Sequence, residues 1–366
     1  MGAYKDPQRG TWYAAFYYTD WTGARRHKVK RGFKTMREAK AWENDFINSK
    51  SHLPDITFKN LAEAYLNDMD NRLKPTTLVT KRTIIEKWLL PKLEKLPIGD
   101  IDVITIRGWQ NYVISYTDED GECLSGTYIK TLQAQLSAIL NYAVKNYGLP
   151  SNPCLAAGPI GQRDAEEMQF WTQEQYEVFR NHEQKRAYQL AFDILFYTGV
   201  RSAELLALYP SDFTEGDVAV LHVRRNYSVV KGKELITTPK TKASIRDISI
   251  PQFLYDEMRQ YCDDIRCKPD ERIFYFGKHA LRGEMKRVTG KAGLPEIRVH
   301  DMRHSHAALL INMGINMKEL QRRLGHKSIR TTMDTYGHLY PKAEAQIGSK
   351  LEQFDPAIAH LQRSNT

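Results

Sequence analysis

Three short clusters between Thr198 and His338 hold residue types suited to work on a phosphodiester. The first is Thr198-Gly199-Val200-Arg201-Ser202-Ala203-Glu204, where a glycine-bearing turn presents Arg201 at a helix start. Glu204, one turn later, can buttress that guanidinium. The second is His300-Asp301-Met302-Arg303-His304; His300 and Arg303, three apart, share a helical face and can converge on one anion. The third is Leu324-Gly325-His326, followed ten residues later by Tyr336 within TTMDTYGH.

Arginine forks match non-bridging phosphate oxygens in pairs and hold charge as it builds at phosphorus. A tyrosine phenol can attack phosphorus and conserve the bond as a phosphotyrosyl ester. No clustered Asp/Glu motif of the kind that holds two magnesium ions is present, so a mechanism without metal or cofactor is expected. Taken singly, these features are weak. Buried Arg–Glu pairs are commonly structural, and a lone helical tyrosine usually packs.

Their order and context are what is specific. TGVRSAELLAL, PKTKASIRDISIP, HDMRHSHA and LGHKSIRTTMDTYGHL resemble the four boxes of the tyrosine recombinase (phage integrase) family, in sequence order. The resemblance implies that Arg201 and Arg303 clamp the scissile phosphate and that Glu204 supports them. It implies that His300 deprotonates the nucleophile and His326 holds a non-bridging oxygen. Tyr336 would form a 3′-phosphotyrosyl link, and Lys240 would protonate the 5′-oxygen as it leaves. Lys242, at the hairpin tip, competes with Lys240 and is expected only to touch DNA phosphates. Tyr340 stands outside the boxed context, His304 and His306 are expected to pack beneath the site, and His338 to bond locally.

The elements that must position these groups suggest a multidomain α+β chain. Residues 11–31 alternate as strands around a turn at Asp20-Trp21-Thr22-Gly23, and Thr35 with Glu38 forms a capping-box pattern before a helix. A small three-stranded sheet plus helix is therefore expected over 1–52, resembling the arm-binding domains of integrases. On its second strand Arg26, Lys28 and Lys30 share one face, a candidate DNA-binding face, while Arg25, His27, Val29 and Arg31 share the other. His52-Leu53-Pro54-Asp55 reads as a linker. Over 56–150 the apolar spacing predicts about four helices, one with Ile129, Leu132, Leu136, Ile139, Leu140 and Ala143 as its apolar stripe, punctuated by Pro75, Pro91 and Pro97, that resemble a core-binding (SAM-like) bundle. Its candidate DNA contacts are Lys81, Arg82 and Lys130. Gly148–Gly161 reads as a second linker. A mixed α/β catalytic domain is expected over 165–366, with strands at Val218–Tyr227, Lys233–Thr238 and Ser244–Ile250.

The 366 residues exceed one ordinary core, and 53 Lys+Arg against 44 Asp+Glu give a net charge of +9 that suits an anionic partner. Four irregularly spaced cysteines suggest neither a disulfide framework nor zinc. The opening MGAYKDPQRG lacks the apolar stretch of a signal peptide, and Asp6 argues against myristoylation, so a cytoplasmic, nucleoid-associated protein without a membrane span is expected. The resemblance implies double-stranded DNA with core-type and arm-type sites as partner, and a homotetramer working through a Holliday junction. The segment around Ile347–His360 would dock on a neighbour, and DNA-bending or excision proteins would assist. A type IB topoisomerase uses similar groups, and a regulator keeping the fold without catalysis is a second alternative; His326 and the complete residue set favour the recombinase.

Overall fold

The computed structural model describes residues 2–7, 9–19, 25–46, 56–162, 168–230, 232–239 and 241–340. The turn expected at Asp20–Gly23, the linker at His52–Asp55, Lys240 and the tail 347–360 lie outside them. The chain divides into two compact units, Met1–Glu166 and Glu167–Thr366.

The first unit opens with an antiparallel sheet of β1 (Ala3–Lys5), β2 (Trp12–Thr19) and β3 (Arg25–Phe33), β2 central. Helix α1 (Met36–Asp45) follows, its Thr35 cap accepting from Glu38 N while Glu38 Oε2 accepts from Lys34 N. One face of β2, Ala14 and Phe16, packs on Ala39 of α1, with Trp42 and Phe46 alongside. The strand register sets Phe16 beside Lys28 and Ala14 beside Lys30, so those lysines stand on the side the helix covers. Their ammonium groups lie over the Phe46 and Trp42 rings, at 5.5 and 5.0 Å. Tyr13, Tyr17, Arg25, His27 and Arg31 occupy the side without a helix.

The bundle comprises α2 (Phe58–Asp70), α3 (Pro75–Ile84), α4 (Leu90–Leu93), α5 (Val103–Ile114), α6 (Gly126–Asn146) and α7 (Pro153–Ala157). Thr57, Asp102 and Ser125 cap α2, α5 and α6 by accepting from backbone amides three residues on. The stripe expected on α6, from Ile129 to Ala143, is buried throughout. Two expectations need correction. Pro91 does not interrupt its helix: a π turn over Ile85–Leu89 widens the backbone just before it, and the helix continues to Leu93. The Pro/Gly-rich stretch after Gly148 is not all linker. Asn152 caps α7, accepting from Cys154 N at 3.0 Å and donating to Asn141 and Ser137, with Pro153 at the first helical position.

In the second unit α8 (Gln173–His182), α9 (Arg186–Thr198), α10 (Ser202–Leu205), α11 (Gln252–Asp264), α12 (Lys278–Ala292), α13 (Met302–Asn312), α14 (Met317–Leu324) and α15 (Ile329–Tyr336) surround small sheets. Helix α9 is buried almost all round and packs against α13, α11 and α8. The strand expected over Val218–Tyr227 divides at Arg224-Arg225 into β5 (Val220–Val223) and β6 (Asn226–Val230). β5 sits between β4 (Phe213–Thr214) and β8 (Arg246–Ser249), and β6 pairs with β7 (Lys233–Thr237). Opposite Leu221 stands Ile248 and opposite Val223 stands Arg246, so the two-residue period turns Arg246 inward and Asp247 outward. Helix α12 leaves little periodic trace in the sequence, because its buried stripe of Leu281, Met285 and Val288 is set among two glycines and many cations.

Gly199 and Gly325 end α9 and α14 in the left-handed region, at φ 65° and 67°. A Cβ on Gly199 would lie 2.5 Å from His306 Cδ2, so strain and collision coincide. Gly199→Ala should cost about 1–3 kcal/mol, read as a lower urea midpoint for the domain containing α9; an unchanged midpoint would contradict this packing.

Candidate active site

Arg201 precedes α10, donating from Nη1 to Glu204 Oε1 at 2.8 Å, while its backbone amide donates to Oε2. Glu204, 1% exposed, also accepts from Arg246 Nη2 at 2.9 Å. Burial alone would raise its carboxyl pKa, but Arg246 and Arg201 outweigh burial and hold it below the ordinary range. Arg246 reaches further: Nε donates to Arg323 O at 2.7 Å and Nη1 to Ser244 O at 3.0 Å.

Arg303, 2% exposed, is held by two helix ends. Nη1 donates to Gly199 O at 2.6 Å, and Nη2 donates to Leu324 O. Terminal carbonyls of α9 and α14, lacking partners inside their helices, thus meet a cation suited to them. Burial first, then Arg201 and Arg246, bring its pKa down to about 9. Two guanidiniums, Arg201 and Arg246, therefore share the Glu204 carboxylate while Arg303 bonds to main-chain carbonyls, and the cluster favours the arrival of an anion.

Tyr336 ends α15 beneath this cluster, 1% exposed, packed with Ala307, Ile311, Leu320 and Leu324. Burial raises its phenol to about 12, against the countering charges of Arg303 and Arg201. Its hydroxyl is hydrogen-bonded to His304 Nδ1 at 2.8 Å. His326 lies parallel to the Tyr336 ring, centroids 6.4 Å apart, and Nδ1 is bonded to Thr332 Oγ1 at 2.9 Å. Burial, then Arg303 and Arg201, hold His326 near 3.

Arg201, Glu204, Arg303, His326 and Tyr336 thus come together as expected; Lys240 lies outside the described residues. His300 is exposed on the short turn before α13, its pKa lowered by desolvation first and then by Arg303. The resemblance placed His300 on the nucleophile, but His304 is the imidazole that meets the phenol, because α13 turns position 304 toward α15. His304 is therefore not the packing residue expected. His306 is: 1% exposed, its Nδ1 donates to Phe196 O at 2.7 Å and its Nε2 accepts from Arg323 Nε at 2.9 Å. Tyr340 donates to Ile315 O, and His338 and Lys242 are exposed. Arg246 went unrecognised, although its inward register beside Ile248 was a usable signal.

Of the candidate DNA contacts, Lys81 is engaged inside the bundle, donating to Gln135 Oε1 at 2.7 Å and Tyr65 Oη at 3.0 Å. Arg82 and Lys130 are exposed, as are Arg26, Lys28 and Lys30.

Comparison with known proteins places this arrangement. The Phage integrase family model matches residues 169–343, a Phage integrase N-terminal SAM-like domain 57–114, and an Arm DNA-binding domain 3–50. The ICEBs1 integrase of Bacillus subtilis is 29% identical over 315 residues, 81% of this chain and 83% of that protein. The integrase of Mycobacterium phage FRAT1 is 30% identical over 294 residues, 76% of this chain and 83% of that one. In fold, the Tn1549 transposon integrase, solved in complex with transposon right end DNA, aligns with a TM-score of 0.66 at 22% identity, covering 85% of this chain and 100% of that chain. The chain belongs to the phage integrase family of tyrosine recombinases. It is a site-specific DNA recombinase that integrates and excises DNA.

Because folding lowers the Glu204 pKa, its contribution is fully present above the ordinary value of about 4.3 and is lost as pH falls through the folded value. Glu204→Gln, which leaves Arg201 and Arg246 without their carboxylate, should lose about 3–5 kcal/mol at neutral pH. In urea unfolding, the deficit against wild type should shrink on acidification; a deficit independent of pH would contradict the ion-pair account.

Proposed function

We propose that the arginine cluster receives the scissile phosphate and that Tyr336 attacks it, giving a 3′-phosphotyrosyl link and a free 5′-hydroxyl. The observation that carries this is the burial of the Tyr336 phenol under the charges of Arg303 and Arg201, with Arg201 sharing the Glu204 carboxylate with Arg246. Arg201, with a side chain 34% exposed, and Arg303 contact the non-bridging oxygens, and Glu204 and Arg246 keep Arg201 in place. His326 offers its imidazole to another oxygen. His300, exposed beside Arg303, contacts the phosphate from the open side. Lys240 protonates the leaving 5′-oxygen, while Lys242 touches backbone phosphates. The enzyme works as a homotetramer on two duplexes, passing through a Holliday junction in the cytoplasm, on nucleoid DNA, with bending or excision proteins assisting. No helix among the described residues is long and apolar enough to cross a membrane.

Tyr336→Phe should bind site DNA almost normally and form no protein–DNA adduct on a nicked suicide substrate. Adduct at wild-type level in this variant, or its disappearance in Tyr340→Phe alone, would sink the assignment.

Residues 1–52 bind arm-type sites, 56–150 close on core-type DNA with Arg82 and Lys130, and 165–366 carry catalysis. Within the arm sheet, the face to read DNA is the one without a helix rather than the Arg26, Lys28 and Lys30 face. On it Arg25 lies over Tyr17 at 4.5 Å and Arg31 over Tyr13 at 5.4 Å, pairing charge with flat aromatic area. A sheet face of this kind enters a major groove. Arg25→Ala and Arg31→Ala should each weaken arm-site binding and lower the salt slope by about one, with core-site cleavage spared. Lys28→Ala and Lys30→Ala weakening arm binding more than these two would reverse the choice of face.

A further inference from the structure

Family resemblance gives the nucleophile's proton to the first histidine of the HDMRH segment. The structure points to the second. His304 Nδ1 stands 2.8 Å from the Tyr336 hydroxyl, a contact made between helices α13 and α15. An imidazole nitrogen that accepts this bond must carry its proton on Nε2, and Nε2 faces Asp301 Oδ1 at 3.8 Å. Asp301, 2% exposed, is itself fixed by Arg298, whose backbone amide donates to Oδ2 at 2.8 Å and whose Nη2 donates to Oδ1 at 3.0 Å. The hydroxyl bonds to the imidazole, and the buried carboxylate stands 3.8 Å from the ring's other nitrogen, an ion-pair and not a hydrogen-bond distance, in the order that activates hydroxyl nucleophiles elsewhere. The His300 ring lies on the other side of His304, centroids 5.5 Å apart and nearly perpendicular, toward the exposed surface of the site.

We propose that His304 is the general base for Tyr336, with Asp301 as its positioning residue, and that His300 serves the phosphate instead. The assignment rests on Tyr336 being the nucleophile. As the phenol oxygen bonds to phosphorus and the bond from phosphorus to the 5′-oxygen breaks, the phenolic proton passes to His304 Nδ1. The 5′-oxygen takes its proton from Lys240. In religation the same imidazolium returns its proton to the departing Tyr336. Before DNA binds, burial first and then His300 hold the His304 pKa down to about 4, which keeps the ring neutral and able to accept. An incoming phosphate offsets the charge of Arg201 and Arg303, and raises the basicity of His304 when the proton must move.

The test separates proton transfer to tyrosine from contact with phosphate. A DNA strand ending in a 3′-p-nitrophenyl phosphate joins to a 5′-hydroxyl without Tyr336, and its p-nitrophenolate departs without a proton. His304→Ala should form the covalent adduct on an ordinary suicide substrate roughly 10²–10⁴-fold more slowly, yet join the p-nitrophenyl substrate close to the wild-type rate. That second rate also reports that the variant is folded and binds DNA. His300→Ala should be slow on both substrates, and Tyr336→Phe should form no adduct yet join the activated strand. Wild-type adduct formation by His304→Ala, or slowness on both substrates, overturns the proposal. Adduct formation by Tyr336→Phe would instead remove the nucleophile assignment beneath it.

Discussion

The catalytic unit is organised around an imbalance of charge. Arg201 and Arg246 bond to Glu204, and Arg303 leans on the carbonyl ends of α9 and α14. Gathering two buried guanidiniums and the half-buried Arg201 near one another is costly, and burial first, then Arg201 and Arg246, bring the Arg303 pKa down. The fold tolerates it because both helices end on left-handed glycines, which turn their last carbonyls toward the cation. The cluster is left with more cationic than anionic groups, which favours an anion.

Burial sets the state of the imidazoles nearby: it disfavours the charged form of His304, with His300 next, and that of His326, with Arg303 and Arg201 next. The phenol of Tyr336 keeps its proton because burial raises its pKa further than the arginines lower it.

Glu204 and Arg246 also join segments far apart in sequence. Arg246 belongs to β8, which pairs with β5 and not with β7, so the hairpin expected around Lys242 does not form among the described residues. Arg246 touches the end of α14 through Arg323 O and the start of α10 through Glu204. A shift of that strand would be felt at Arg201. The arm sheet follows a simpler rule. Its helix covers one face with Ala39, Trp42 and Phe46, so the tyrosines and arginines of the opposite face remain available.

Sequence by itself determined the class of chemistry and most of the elements. Arg201, Glu204, Arg303, His326 and Tyr336 were legible because each sits in a local motif whose spacing is set by one turn or one helix. The stripe of α6 and the cap at Thr35 were legible for the same reason: hydrogen bonds and apolar faces that repeat over three or four residues leave a short-range trace. What the tertiary structure decided were pairings across long separations. Only the packing of α13 on α15 selects His304 over His300 as partner of Tyr336. Only the strand register turns Arg246 onto Glu204, and only the side on which α1 lands tells which face of the small sheet carries its core. Alternation along a strand fixes which residues share a face, but what covers that face depends on a helix elsewhere in the chain.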